Sequence, residues 1–219
     1  MSDSTLILML SVLCPWLALV LGLQILAGRC GLKTPGWGRL LFLGLIAAGL
    51  LLLPVQGISV AGWVRGVNAN FSIPFTALIA LAVWEGGFRR KLFSQADWTA
   101  GWAFGAVTGL GFYPFALGLG RFDPYEWGWS FSPLFVAGAV LTALLLWKHN
   151  RFGLLLLLAI AACHLRLLES ANYWDYLLDP VYCLVSVVAL GRQLLSTSVD
   201  PRNGLLHPLD RSAGASPGS

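Results

Sequence analysis

Residues 5–28 read TLILMLSVLCPWLALVLGLQILAG, an apolar run without a single charged side chain. A helix that crosses about 30 Å of hydrocarbon needs roughly 20 such residues, so this stretch is long enough to span a membrane, and it sets the reading of everything after it. Residues 40–56, 71–88, 98–118, 133–147, 152–168 and 180–195 repeat the apolar character. An open chain in lipid must satisfy its backbone hydrogen bonds within each segment, which leaves helices as the only spanning option here. The expected fold is therefore all-α, a polytopic transmembrane helix bundle of about seven spans. The fifth and sixth segments, 15 and 17 residues long, are joined only by Lys148, His149, Asn150 and Arg151. They read either as two full crossings or as a partly re-entrant hairpin.

Composition agrees with this reading. Of 219 residues, 57% are hydrophobic and 11% charged, with a mean hydropathy of +0.74. Soluble domains carry nearer a quarter charged residues, so a soluble enzyme, a disordered chain and a nucleic-acid binder are excluded as classes. Cys14, Cys30, Cys163 and Cys183 form no Cys-x-x-Cys pair, which argues against a redox motif or a zinc ribbon. The amino terminus has Asp3, no base before the apolar run and no small-residue cleavage pattern after it. It reads as a retained span rather than a signal peptide.

The bases alternate by loop. Arg29, Lys33, Arg39, Arg89, Arg90, Lys91, Lys148, Arg151, Arg192, Arg202 and Arg211 fall in the odd loops and the tail, whereas the even loops hold only Arg65, Arg121 and Arg166. Positive charge stays cytoplasmic, so the amino terminus is expected outside and the carboxyl terminus inside. Short loops and compact size suggest a bacterial inner membrane. Residues 1–195 form the bundle, and residues 196–219, rich in Ser, Gly and Pro, read as a disordered cytoplasmic tail. No internal repeat of the kind found in many transporters is visible.

Polar residues collect on the outer side. Val60, Trp63, Val64 and Val67 have helical i, i+3, i+4, i+7 spacing behind Ser59, which predicts a short helix in the outer interface with Arg65 toward water. The fourth loop carries Arg121, Asp123-Pro124, Glu126 and several aromatic residues, which match a membrane belt. Asp123-Pro124, Ser132-Pro133 and Asp179-Pro180 each place a capping residue before proline at a first helical position.

The sixth loop is densest, holding His164, Arg166, Glu169, Asp175 and Asp179. Arg166 and Glu169 are three apart and can pair on one helix face. His164 beside Asp175 or Glu169 would be the acid-base set if the protein were an enzyme. Arg65, Arg121, Asp123, Glu126, Arg166, Glu169, Asp175 and Asp179 are the candidate binding residues. Cys163, Cys183 and His164 lack a clear fourth ligand, so no metal site and no cofactor are expected.

Gly101, Gly105 and Gly109 form a small-xxx-small ridge on the fourth span, suited to close approach by another helix of this chain or of a partner membrane protein. Asn70-Phe71-Ser72 fits a glycosylation sequon by pattern alone. A retinal protein needs a lysine in its last span, and Lys33, Lys91 and Lys148 all lie in loops. Paired intramembrane histidines for a haem are absent as well, since only His164 is in a span. Gly-x-Ser-x-Gly and His-Glu-x-x-His are also missing.

Two functional readings follow. The first is a non-catalytic accessory or assembly component of a cell-envelope membrane complex. The second is an outward-facing enzyme or transporter handling a lipid-linked or small anionic substrate, with the arginines as its clamp. Ion conduction ranks last, because between Glu85 and Asp97 near one boundary and Asp179 near the other the spans offer only hydroxyls such as Thr76, Thr108, Tyr113 and Ser186.

Overall fold

A computed structural model describes residues 3–32 and 35–198. The tail from residue 199 onward lies outside the described residues, as does Lys33. Among those described, the chain is all-helical apart from one tiny ribbon. Its α-helices are α1 (Asp3–Arg29), α2 (Trp37–Leu52), α3 (Val60–Val67), α4 (Ile73–Phe88), α5 (Gln95–Ala116), α6 (Pro133–Trp147), α7 (Phe152–His164), α8 (Tyr173–Leu177) and α9 (Pro180–Ser198). A 3-10 turn occupies Pro124–Gly128, and β1 (Pro54–Val55) pairs antiparallel with β2 (Ile58–Ser59). Each of the seven apolar segments coincides with a helix.

Length separates these helices. Among the described residues only Thr5–Arg29 is both long and apolar enough to cross a membrane by those criteria alone. Helices α2, α4, α6 and α7 have 13 to 16 residues, and 16 residues at 1.5 Å each give about 24 Å. Helix α5 has 22 residues but spends some on Gln95, Asp97, Thr99 and its glycines.

Two segments end earlier than their apolar runs. The second stops at Leu52 because Gln56 and Gly57, with φ of 53° and 83°, make the two-residue turn of the β1–β2 ribbon. The sixth stops at His164 because Arg166 takes a left-handed φ of 52°. Helix α9 continues to Ser198, past the expected start of the tail.

Helix α1 packs on α2, α3 and α4, α4 on α7, and α7 on α6 and α8. The most extensive pairing is α5 with α9. The core between them holds Val20, Ala47, Leu78, Phe152, Leu156, Ala159, Tyr176 and Tyr182, all essentially inaccessible. The outward faces are also apolar: Leu45, Leu52, Val107, Leu154 and Leu184 are exposed.

The glycine ridge of α5 is closed within the chain. A Cβ at Gly101 would meet Leu78 and Phe152, one at Gly105 would meet Tyr182 and Ser186, and one at Gly109 would meet Cys183. The Tyr182 hydroxyl donates to the Gly101 carbonyl across this seam at 2.6 Å. Gly105 and Gly109 of the ridge therefore seat α9, and Gly101 seats Leu78 of α4 and Phe152 of α7.

At the end of the bundle where α4 and α7 meet the basic loops, carboxylates are used for capping. Glu85 accepts from the backbone of Leu92 and Phe93. Asp97 forms a capping box with Ser94 and also accepts from the Arg151 N–H at 2.7 Å.

Candidate functional site

The opposite end, where α4 and α9 begin and α5 finishes, carries the candidate site. Proline at the second position of α4 and the first of α9 presets the helical φ. Asp179 precedes α9, and its Oδ1 accepts from the Tyr182 N–H at 2.9 Å. Its Oδ2 accepts from both the backbone N–H and the hydroxyl of Ser72, at 2.9 and 2.7 Å. One buried carboxylate thus joins the first turns of α4 and α9. Burial raises its carboxyl above the ordinary aspartate value, against the opposing pull of the Ser72 and Tyr182 donors.

Asp123 caps the 3-10 turn by accepting from the Tyr125 N–H. That turn is fastened to the 168–176 region by side chains from both sides. The Tyr125 hydroxyl donates to Asp175 Oδ2 at 2.9 Å, Asn172 Nδ2 donates to the Tyr125 carbonyl, and Trp174 Nε1 donates to the Pro124 carbonyl. Asn172 is fully buried and also caps α8 through Trp174 N–H. Gly128 lies so close to the Asn172 amide that a Cβ would collide with it. Burial, followed by the hydrogen bond to Asp175, pushes the Tyr125 phenol up to about 12.

These loops wall a cleft of about 440 Å³ whose lining includes Asn68, Asn70, Phe112, Tyr113, Asp123, Tyr125, Trp174, Asp175 and Asp179. Phe112 and Trp174, both in its lining, meet with ring centroids 4.5 Å apart. Three of the eight candidate binding residues therefore share one cavity, and all three are aspartates.

The other five lie apart from it. Arg65 donates to Glu169 at 2.6 Å, an ion pair between α3 and the sixth loop. That replaces the expected pairing of Arg166 with Glu169, because the left-handed turn at Arg166 ends α7 and removes the shared helix face. It also turns Arg65 from water to a partner. Arg166 and Glu169 border a separate depression beside Leu6 and Ile7 of α1. Arg121 and Glu126 are exposed on the fourth loop.

His164 is exposed at the end of α7 and is not among the residues lining the cleft. The Asp175 carboxylate that sequence placed within its reach binds Tyr125 instead. Among the described residues no three His, Cys, Asp or Glu side chains come together as a metal site requires. The sequon at Asn70 is poorly placed for modification, since Ser72 is fully buried against Asp179 and Asn70 Oδ1 accepts from the Glu169 N–H.

Sequence reasoning missed Asn68, Phe112, Tyr113 and Trp174 as lining residues, and took Tyr125 only as a belt aromatic. The pair Asn68 and Asn70, flanking an alanine at the start of a span, was the one local signal for a polar wall. No protein-family model, curated protein or solved structure matches this chain.

Proposed function

We propose that the chain is a multi-pass membrane protein of about seven crossings, amino terminus outside and carboxyl terminus cytoplasmic, in a bacterial inner membrane. Apolar side chains cover the outer faces of the helices as well as the core, an arrangement that suits a lipid surround and is penalised in water. The excess of Lys and Arg in the loops at the end away from the cleft fits the positive-inside rule. Short helices reach the interfaces by local thinning of the bilayer or by snorkelling of flanking residues.

Within that frame, the protein is a non-catalytic component of a cell-envelope membrane assembly, and the cleft is its recognition site. The carrying observation is the hydrogen-bonded cap. Asp179, Asp175, Asn172 and Trp174 are all committed to holding loops and helix ends, which makes a rigid cavity suited to receiving a fixed shape. His164, the histidine at this end of the bundle, is not among the residues that line it.

A second reading is favoured by the cavity itself, which is within the size range of small-ligand sites. Under that reading the protein is an outward-facing enzyme or transporter. Its carboxylate lining suits a cationic or hydroxyl-rich ligand, while the arginines proposed to clamp an anion lie elsewhere.

Native mass spectrometry of the protein extracted gently from its own membrane separates the two. The assembly reading expects a stoichiometric protein partner that is lost on Leu117→Arg at the cleft mouth and kept on Leu154→Arg at a lipid-facing site. A lone chain that retains a small molecule overturns it in favour of the enzyme or transporter.

A further inference from the structure

Where α1 begins and α2 ends, those two helices and α3 border a groove of about 670 Å³. Leu8, Met9, Val12, Leu13 and Trp16 form its α1 wall and share one helix face. Ala48 and Leu52 of α2 and Ala61 of α3 complete it. No lining side chain is charged. The one side-chain nitrogen or oxygen among them, Trp16 Nε1, is used in donating to the Gly44 carbonyl at 2.9 Å. Leu8, Met9 and Leu52 are exposed, so the groove opens outward.

Its length sets what fits. Leu8 to Trp16 is about 12 Å along the helix at 1.5 Å per residue, against about 30 Å for the hydrocarbon core of a bilayer. Trp16 is the lining residue farthest along α1, about midway through Thr5–Arg29. Its ring is pinned between α1 and α2, since a Cβ on Gly44 would lie 3.0 Å from it. At the other end α3 packs on both α1 and α2 and contributes Ala61. The groove is therefore one leaflet deep.

We infer that it holds one acyl chain of an outer-leaflet phospholipid as an ordered, slowly exchanging ligand, an inference that rests on the multi-pass membrane placement. A hydrocarbon chain of one leaflet matches the distance from α3 to Trp16. A partner's spanning helix, about 10–12 Å across and some 30 Å long, runs on past Trp16 and leaves the concave part for less than half its length. The chain beyond Ser198 leaves α9 at the opposite end of the bundle, which excludes it as the occupant. Lipid tails gain nothing from exchanging one apolar surface for another, so fit sets the preference. Alanine at 48 and 61 gives the groove its depth, and a pinned indole with aliphatic walls supplies dispersion contacts that an unfilled groove would forfeit.

The test places the full chain in vesicles containing a trace of phosphatidylethanolamine with a diazirine at the end of one acyl chain. Labelled residues are read by peptide mass spectrometry. Residues 12–16 should be labelled about tenfold more than residues 184–188, an exposed stretch of α9, as a preference of about 1.4 kcal/mol gives. After extraction in mild detergent, native mass spectrometry should find one retained phospholipid. Ala48→Phe, which fills the groove, should lose it. Gly49→Phe should keep it, since a Cβ there meets nothing within 4 Å and the residue is outside the lining.

Equal labelling of the groove and of α9 overturns the inference, needs no variant to fold, and leaves the membrane placement standing. Absence of labelling on every helix overturns the placement together with it. Retention of the lipid by Ala48→Phe moves the lipid to another site and overturns the groove as its seat. Capture of a protein by a photoreactive residue at Met9 in native membranes overturns the lipid as occupant in favour of a partner helix.

Discussion

Asp179 holds Ser72 by two hydrogen bonds to a single carboxylate oxygen, joining residues 107 positions apart in the chain. Both residues are buried, at 2% and 0% exposure. Removing the carboxylate strands the Ser72 N–H, its hydroxyl and the Tyr182 N–H together. Asp179→Ala should therefore lower unfolding free energy by about 2–4 kcal/mol, measured by denaturant titration in mixed micelles. Wild-type stability in that variant would show that α4 and α9 are held by packing alone.

The same carboxyl sets a pH dependence. Burial raises its folded-state value above the ordinary aspartate value of about 3.9. A group of this sign contributes stability that is complete below the unfolded value and is lost as pH rises through the folded one. The difference in unfolding free energy between wild type and Asp179→Asn should thus shift against the wild type as pH rises through that window. A pH-independent difference would contradict the raised value.

Gly105 faces Tyr182 with 2.8 Å between its virtual Cβ and the ring, and Ser186 is nearer still. Gly105→Val should overpack the α5–α9 seam at a cost of about 1–3 kcal/mol. Gly111, on the same helix with nothing within 4 Å, is the control. There alanine should be neutral or stabilising by up to about 1 kcal/mol through helix propensity. Thermal unfolding in detergent distinguishes the two, and equal effects would refute the seam.

Arg65 and Glu169 are partly exposed, at 32% and 45% of their side chains. Water and salt screen such pairs, so a double-mutant cycle to alanine should give a coupling of about 1 kcal/mol or less that shrinks in high salt. A coupling of several kcal/mol would place the pair in a far drier setting than its exposure indicates.

Cys30 is exposed just beyond α1, whereas Cys14 and Cys183 are buried. With the proposed orientation, a membrane-impermeant maleimide should label the Cys30 peptide in inverted vesicles and not in intact spheroplasts, as read by peptide mass spectrometry. Labelling from the outside would reverse the topology.

Much of the architecture was legible in the chain because its causes are local. Apolar runs without charges become helices wherever they are placed, and Ser59, Ser94, Asp123, Ser132 and Asp179 cap because a short side-chain oxygen lies next to unpaired N–H groups. Boundaries were less legible where one backbone angle decides. The left-handed turns at Gln56 and Arg166 cut two helices short inside apolar sequence, and the second of them took Glu169 away from Arg166.

The sequence alone determined the helices, their caps and the end at which charge collects, since each follows from residues within a turn or two of one another. Tertiary structure alone decided the partners. Tyr125 and Asp175 meet across 50 positions, Gln24 reaches Val83, and Gly105 and Gly109 of α5 receive α9 of their own chain. These are contacts between helices, set by which faces pack, and an apolar helix presents nearly equivalent faces until its neighbours choose one.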